Sequence, residues 1–258
     1  MRAFAGGCVM ALTLAACGFG GEGASPASPS PSVVEDSQVF DVDSLRAALG
    51  IETSLAGLRV DPVWLASDIA TLDTETRTYF ADGTFTPAVC EDLALFVELL
   101  DADPSASTDT NPVVYISDVF TSRAGTEFEI GSIQARLHDN TAAAAQFFDD
   151  GVRAATECGA SFDFVAAETE GETDSQVWKA DSITVTPQVP GYPEAVRTAE
   201  FSLFFPDEDV EHRIVVMHTA NATIHVRLVE TATVSLGQVL QHEISLPLAL
   251  ALASAGDG

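Results

Sequence analysis

The sequence predicts an α+β domain: a mainly antiparallel β-sheet flanked by α-helices. Three observations carry this. From Val113 onward, segments of alternating or continuously apolar character follow one another at short spacing, as locally joined strands do. An Ala-rich stretch with 3.6-residue periodicity, Thr141 to Cys158, interrupts them. Further helical patterns precede and follow the strands, so helices come before, between and after a sheet. Hydrophobic residues make up 47% of the chain, enough to build a real core around that sheet.

Residues 40–50 read as a helix capped by Asp43 or Ser44 and stopped by Gly50, with Leu45 and Leu49 on one face. Asp61-Pro62 opens a short helical or irregular stretch through Trp64, Leu65 and Ile69. Thr86-Pro87-Ala88-Val89-Cys90 leads into a helix from Glu91 to Leu100. Its acidic first turn suits the helix dipole, and Leu93, Phe96, Val97 and Leu100 form its apolar stripe. A polar loop follows, from Asp101 to Asn111. Strands are expected at Val113–Thr121 and Phe128–His138, turning at Arg123-Ala124-Gly125. The helix capped by Asn140 or Thr141 places Ala144, Phe148, Gly151, Ala155 and Cys158 on one buried stripe. Strands follow at Ser161–Ala167, Gln176–Thr186 and Val196–Phe205, the last with Ala199, Phe201, Leu203 and Phe205 on one face. His212–Thr219 and Ala222–Glu230 form a hairpin around Ala220-Asn221. A helix from about Val234 to Leu252, kinked before Pro247, closes the chain.

The N-terminus has a different logic. Arg2 and the short apolar run from Ala3 to Thr13 make a secretory signal too short to span a bilayer. Leu14-Ala15-Ala16-Cys17 is a lipobox, so residues 1–16 are expected to be removed and Cys17 acylated. An ordinary signal peptide cut near Ala16 is the alternative. Residues 17–39 are rich in Gly, Ser, Ala and Pro and read as a tether. The folded domain is then 40–254, and residues 255–258 are a tail. More than one acyl chain on Cys17 would anchor the protein stably on the outer face of the cell membrane. With Cys8 in the signal and Cys17 lipidated, Cys90 and Cys158 remain, and an exported domain makes a disulfide between them the default. Two buried free thiols are the alternative.

The chain carries 39 acidic and 11 basic residues, a formal charge of −28, which repels nucleic acid and anionic headgroups and excludes DNA or RNA as partner. Solubility or salt adaptation explains such acidity most simply; a dedicated cation site is the sharper reading. No nucleophile elbow, P-loop, His-Glu-x-x-His or zinc spacing occurs, and no cofactor is implied. Asp101-Ala102-Asp103-Pro104-Ser105 faintly resembles a calcium loop but lacks its glycine and closing glutamate. Asp207-Glu208-Asp209 with Glu211 reads as a solvated turn, with loose cation binding as the alternative. Counting back from Ala220-Asn221 puts His218 and His225 on one sheet face as diagonal neighbours, with His212 further along. That pair would admit a metal, or else lie on a solvated or groove-lining face. The opposite face, with Val215, Met217, Ile224, Val226 and Leu228, is core. Trp64, Trp178, Phe204 and Phe205 are candidates for an apolar cleft, or are plain core.

Several motifs in order resemble the extracellular sensor domain of the actinobacterial PknH kinase family, which also occurs in stand-alone lipoproteins. They are Ser44-Leu45-Arg46-Ala47-Ala48-Leu49-Gly50, Thr86-Pro87-Ala88-Val89-Cys90, Thr141-Ala142-Ala143-Ala144-Ala145-Gln146-Phe147-Phe148 running to Cys158, the hairpin Arg213 to Val226, and the closing helix. The resemblance covers about residues 40–254. It implies a helix-flanked antiparallel sheet, a sizeable cleft, and ligand sensing without catalysis. The family's kinase members carry two disulfides where only one can form here, and Ala154-Ala155-Thr156-Glu157 stands where a tryptophan is expected. The function expected is a lipid-anchored binding or sensor domain that takes a small apolar or amphipathic molecule or an envelope protein. A lipid or glycolipid carrier, an envelope hydrolase with dispersed residues and a purely structural surface protein are the alternatives.

Overall fold

The structure, a computed structural model, describes residues 39–49, 54–55, 58–63, 69–103, 105, 113–123, 126–166, 177–206, 209–231 and 237–256. The expected signal peptide, Cys17 and the tether up to residue 38 lie outside the described residues, as do Trp64 and the turn residues Ala124-Gly125.

The elements in order are α1 (Val42–Leu49), β1 (Ser54–Leu55), β2 (Leu58–Val63), α2 (Ile69–Asp82), β3 (Thr84–Thr86), α3 (Cys90–Val97), β4 (Val113–Arg123), β5 (Thr126–Leu137), α4 (Thr141–Cys158), β6 (Ser161–Val165), β7 (Val177–Pro187), β8 (Arg197–Phe205), β9 (Val210–Thr219), β10 (Ala222–Thr231) and α5 (Gly237–Gly256). The ten strands form one sheet in the order β1-β2-β4-β5-β10-β9-β8-β7-β6-β3, and every pair is antiparallel. The fold is α+β, as expected.

Helices cover both faces. On one, α1 and α5 bury Leu45, Leu49, Ile244, Leu248 and Leu252 against Val215, Met217, Ile224, Val226 and Leu228. On the other, α3 and α4 bury Leu93, Phe96, Phe147 and Phe148 against Ala199, Phe201, Leu203, Ile214 and Val216. The β9–β10 register has Ala222 opposite Thr219, Thr223 opposite His218 and His225 opposite Val216, as counted from the turn. The α4 stripe is likewise buried at Ala144, Phe148, Gly151, Ala155 and Cys158. Asn140 caps α4, its side-chain oxygen accepting from Ala143 N at 2.9 Å.

Four expectations are corrected. The α1 cap is Asp41, not Asp43 or Ser44: Asp41 Oδ1 accepts from Ser44 N at 2.7 Å while Asp41 N donates back to Ser44 Oγ at 2.8 Å. Asp61-Pro62 lies in strand β2, not at a helix start. Pairing of residues 59–63 with residues 116–120 of β4 holds the segment extended, Pro62 opposite Ser117. α2 begins at Ile69, where the expected helical or irregular stretch ends, and runs on to Asp82; β3 was not expected. The helix expected to run to Leu100 stops at Val97. Leu99 turns into the left-handed region (φ 61°), and the amides of Leu99 and Leu100 close back on the carbonyls of Phe96 and Leu95.

The disulfide Cys90–Cys158 is present and ties the start of α3 to the end of α4. Closing a loop with 68 residues of separation stabilises the fold by ~4 kcal/mol in the chain-entropy view. Cys90→Ser with Cys158→Ser is therefore expected to lower the unfolding free energy by about that amount in urea titration. A second fastening is Asn221, buried in the β9–β10 turn. Its Oδ1 accepts from Phe40 N at 2.7 Å, and its Nδ2 donates to Phe40 O at 3.0 Å and His138 O at 2.9 Å. Asn221→Ala leaves those three backbone groups without their partner at one point. It is expected to cost about 2–4 kcal/mol, read by thermal or denaturant unfolding.

Candidate functional site

The α3/α4 side of the sheet carries a polar row inside a hydrophobic layer. Alternation along β5, β9 and β10 aims Gln134, Arg136, His212, His218, Thr223, His225 and Arg227 at this side. A solvated or groove-lining face was the expectation for His218 and His225. Both are instead buried beneath the helices, because β9 and β10 are central strands covered on both sides. His225 packs on the Phe96 ring of α3 with centroids 4.9 Å apart, and His218 on Phe148 of α4 at 5.7 Å. The two imidazoles thus face different helices, and among the described residues no group of three His, Cys, Asp or Glu side chains converges for a metal.

Burial lowers all three basicities. The His225 pKa falls to about 3 through desolvation, which outweighs the Val97 carbonyl. The His212 pKa falls to about 3 through desolvation and the neighbouring Arg227 charge. The His218 pKa falls to about 4, again mainly through desolvation. His212 Nδ1 lies 2.8 Å from an Arg227 guanidinium nitrogen, which can only donate, so the imidazole is neutral with its proton on Nε2.

Among the described residues, two concavities open on this side. The larger is a groove between α3 and α4 of about 370 Å³, within the range of small-molecule sites. Its middle is Phe96, Phe147 and Gly151. One end carries Asp92, Asp150 and Arg153, the other Leu100, Asp101, Ala102, Asp103 and Gln146. Beneath the second end lies Arg136, 1% exposed. Its guanidinium sits 4.6 Å from the Phe147 ring centroid, bonds Asp101 Oδ2 at 2.6 Å and donates to Leu99 O at 2.8 Å. At the first end Arg153 pairs with Asp150 at 2.8 Å. Asp92 is half-buried, and burial raises its carboxyl pKa; Arg153 opposes that shift, while Glu157 and Asp150 add to it. The groove lining thus combines the carboxylates Asp92, Asp101, Asp103 and Asp150 with the phenyl rings of Phe96 and Phe147.

The smaller concavity, about 80 Å³, is walled by Phe80, Phe85, Phe162, Phe164 and Phe205. At its rim Arg227 bridges Glu98 at 3.2 Å and His212. Of the aromatic cleft candidates, Phe205 lines this pocket. Phe204, its neighbour on β8, points to the opposite sheet face and cannot join it. The backbone of Trp178 pairs with Phe164 in the sheet; its side chain and Trp64 lie outside the described residues. Asp103 of the loop that resembled a calcium site accepts from Ser105 N at 2.9 Å, and Asp101 serves Arg136. Glu211, expected in a solvated turn, accepts from Ser202 Oγ at 2.5 Å and pairs with Arg213 at 3.1 Å.

A cleft was expected, but none of the candidates Trp64, Trp178, Phe204 and Phe205 is among the described residues that line the α3/α4 groove. Its walls were visible as helices, but their pairing depends on the disulfide and on Phe96 seating against Gly151, which are tertiary facts.

The fold and groove define a helix-flanked antiparallel α+β domain with a ligand-sized concavity between two disulfide-linked helices. No family model matches the chain, and no curated protein matches it. Among solved structures, the crystal structure of the extracellular domain of PknH from Mycobacterium tuberculosis is similar to it. The identity is 12%, covering 85% of this chain and 93% of that chain, with a TM-score of 0.42.

Proposed function

We propose that this protein is a lipoprotein held on the outer face of the cell membrane by acylated Cys17, whose domain binds a ligand and does no chemistry on it. The observation that carries the binding role is the α3/α4 groove, which has the volume of a small-molecule site and an amphipathic lining of phenyl faces and carboxylates. The lipobox and the Gly/Ser/Pro-rich tether after it support the location. A molecule of the envelope with an apolar part, or an extended segment of an envelope protein, suits that lining. Lipid carriage is less well supported: the phenylalanine-walled pocket is only about 80 Å³, and the larger groove is lined by four carboxylates.

Native mass spectrometry of the disulfide-bonded protein, purified from an exporting bacterial host, tests the binding role. A stoichiometric adduct supports it, and fragmentation gives the ligand class; a bare mass after addition of an envelope extract contradicts it. Location is tested separately. Cys17→Ser is expected to release the protein from the membrane fraction and remove the acyl mass, whereas unchanged membrane attachment would refute lipidation.

A further inference from the structure

The phenylalanine-walled pocket lies on another side of α3 and shares no lining residue with the groove. Leu93, Ala94 and Val97 border the pocket, whereas Asp92 and Phe96 border the groove. The pocket walls are rings set edge to face or tilted: Phe80 stands 5.5 Å from Phe85 and 5.7 Å from Phe164, and Phe85 stands 4.5 Å from Phe164. At about 80 Å³ the pocket has room for roughly six waters, the bulk of one six-membered ring. Water there meets almost only hydrocarbon, and a ring would recover the dispersion contacts that a void forfeits. The polar groups are confined to one rim. Arg227 holds Glu98 at 3.2 Å with one guanidinium nitrogen and His212 Nδ1 at 2.8 Å with the other. The Arg227 and Glu98 charges cancel, and their side chains are 23% and 40% exposed, so this rim is open to solvent. The contact with Arg227 fixes the His212 proton on Nε2, and no acceptor among the described residues takes it. The same imidazole lies 4.9 Å from the Phe205 ring, as part of the aromatic wall. The pocket thus offers ring-sized apolar space, one unused N–H donor and no net charge.

We propose that this pocket binds a neutral monocyclic phenol, its ring among Phe80, Phe85, Phe164 and Phe205 and its hydroxyl oxygen accepting from His212 Nε2–H. The hydroxyl decides the class. A plain hydrocarbon ring leaves the His212 donor unanswered, and so does indole, whose N–H can only donate. A carboxylate would stand beside Glu98 in a chain of formal charge −28. A phenol, with a pKa near 10, stays neutral. This site is separate from the α3/α4 groove, and the inference does not depend on the groove's role.

p-Cresol is the probe, titrated calorimetrically into the full disulfide-bonded protein at neutral pH, with toluene as its hydroxyl-free counterpart. One saturable p-cresol site is expected. His212→Phe keeps a ring in the wall and removes the donor, and it should shift the preference between the two probes about fivefold or more toward toluene. A general loosening of the fold weakens both probes together and does not imitate that shift. Ala94→Trp, which fills the pocket from α3, should abolish p-cresol binding. Gln146→Trp, which fills the α3/α4 groove from an exposed position of α4, should leave it unchanged. The inference is overturned if p-cresol shows no saturable site, if His212→Phe leaves the preference where it was, or if binding is lost in Gln146→Trp and kept in Ala94→Trp. An envelope adduct that Gln146→Trp abolishes, with no p-cresol binding, would overturn the phenol pocket alone and leave the groove's role standing.

Discussion

Between pH 7.5 and pH 5.0 the domain is expected to lose on the order of 6 kcal/mol of unfolding free energy, with the loss beginning near pH 6.5. The cause is the trio His212, His218 and His225 under α3 and α4. Their pKa values fall from 6.5 to about 3, 4 and 3, so each stays neutral in the fold over a range where the unfolded chain has protonated it. A base with a depressed folded pKa contributes full stability above the unfolded value, and that stability drains away as pH falls toward the folded value. At 1.36 kcal/mol per pH unit, each histidine loses about 2 kcal/mol by pH 5. Asp92, whose pKa is raised, works the other way, but it is one half-buried group against three imidazoles. Urea titrations at the two pH values measure the effect. His225→Leu should remove about a third of the pH dependence, whatever it does to stability at pH 7.5. A flat profile between pH 7.5 and 5 would mean that water or a counter-charge reaches this row.

Gly151→Ala is expected to destabilise the fold by about 1–3 kcal/mol and to deform the groove. In an ordinary helix interior this change would stabilise by about 1 kcal/mol, because alanine is the better helix former. Here a β-carbon at position 151 would lie 2.2 Å from the Phe96 ring. That ring has no room to retreat, since Phe147, Phe201 and His225 surround it at centroid distances of 5.1, 5.8 and 4.9 Å. The clash therefore forces α3 and α4 apart along the wall that defines the site. The sign discriminates: a more stable Gly151→Ala protein would mean that the two helices do not pack as described. Denaturant unfolding reads the sign directly.

Where local patterns decide the structure, they were readable in advance. The β9–β10 hairpin followed from a two-residue turn and strict alternation, and its register came out residue for residue. α4 followed from an Asn cap and a periodic stripe of small and aromatic residues. Where tertiary context decides, the sequence misleads. Asp61-Pro62 has the local signature of a helix start, yet pairing with Asp118 and Ser117 of β4 draws it into β2. α2 is Thr-rich, and its apolar periodicity is too weak to announce a helix. α3 ends on a left-handed leucine, with no glycine to mark the stop. The histidine face looked solvated because alternation distinguishes polar from apolar faces and not covered from open ones. The covering layer comes from α3 and α4, and phenyl rings and ion pairs make the burial of imidazole and guanidinium tolerable there. The site was hidden for the same reason. Asp92, Asp101, Asp103 and Asp150 are unremarkable acidic residues among 39 until two helices pack and place them around one groove.

The central claim is that this groove is where the protein binds its ligand. The most direct test compares native mass spectra of the wild-type protein and the Gln146→Trp variant, each purified from the exporting host and exposed to the same envelope extract. The expected result is a one-to-one adduct on the wild type that is absent from the variant, while both unfold at the same urea concentration. An adduct retained unchanged by the variant would place the ligand elsewhere and contradict the account.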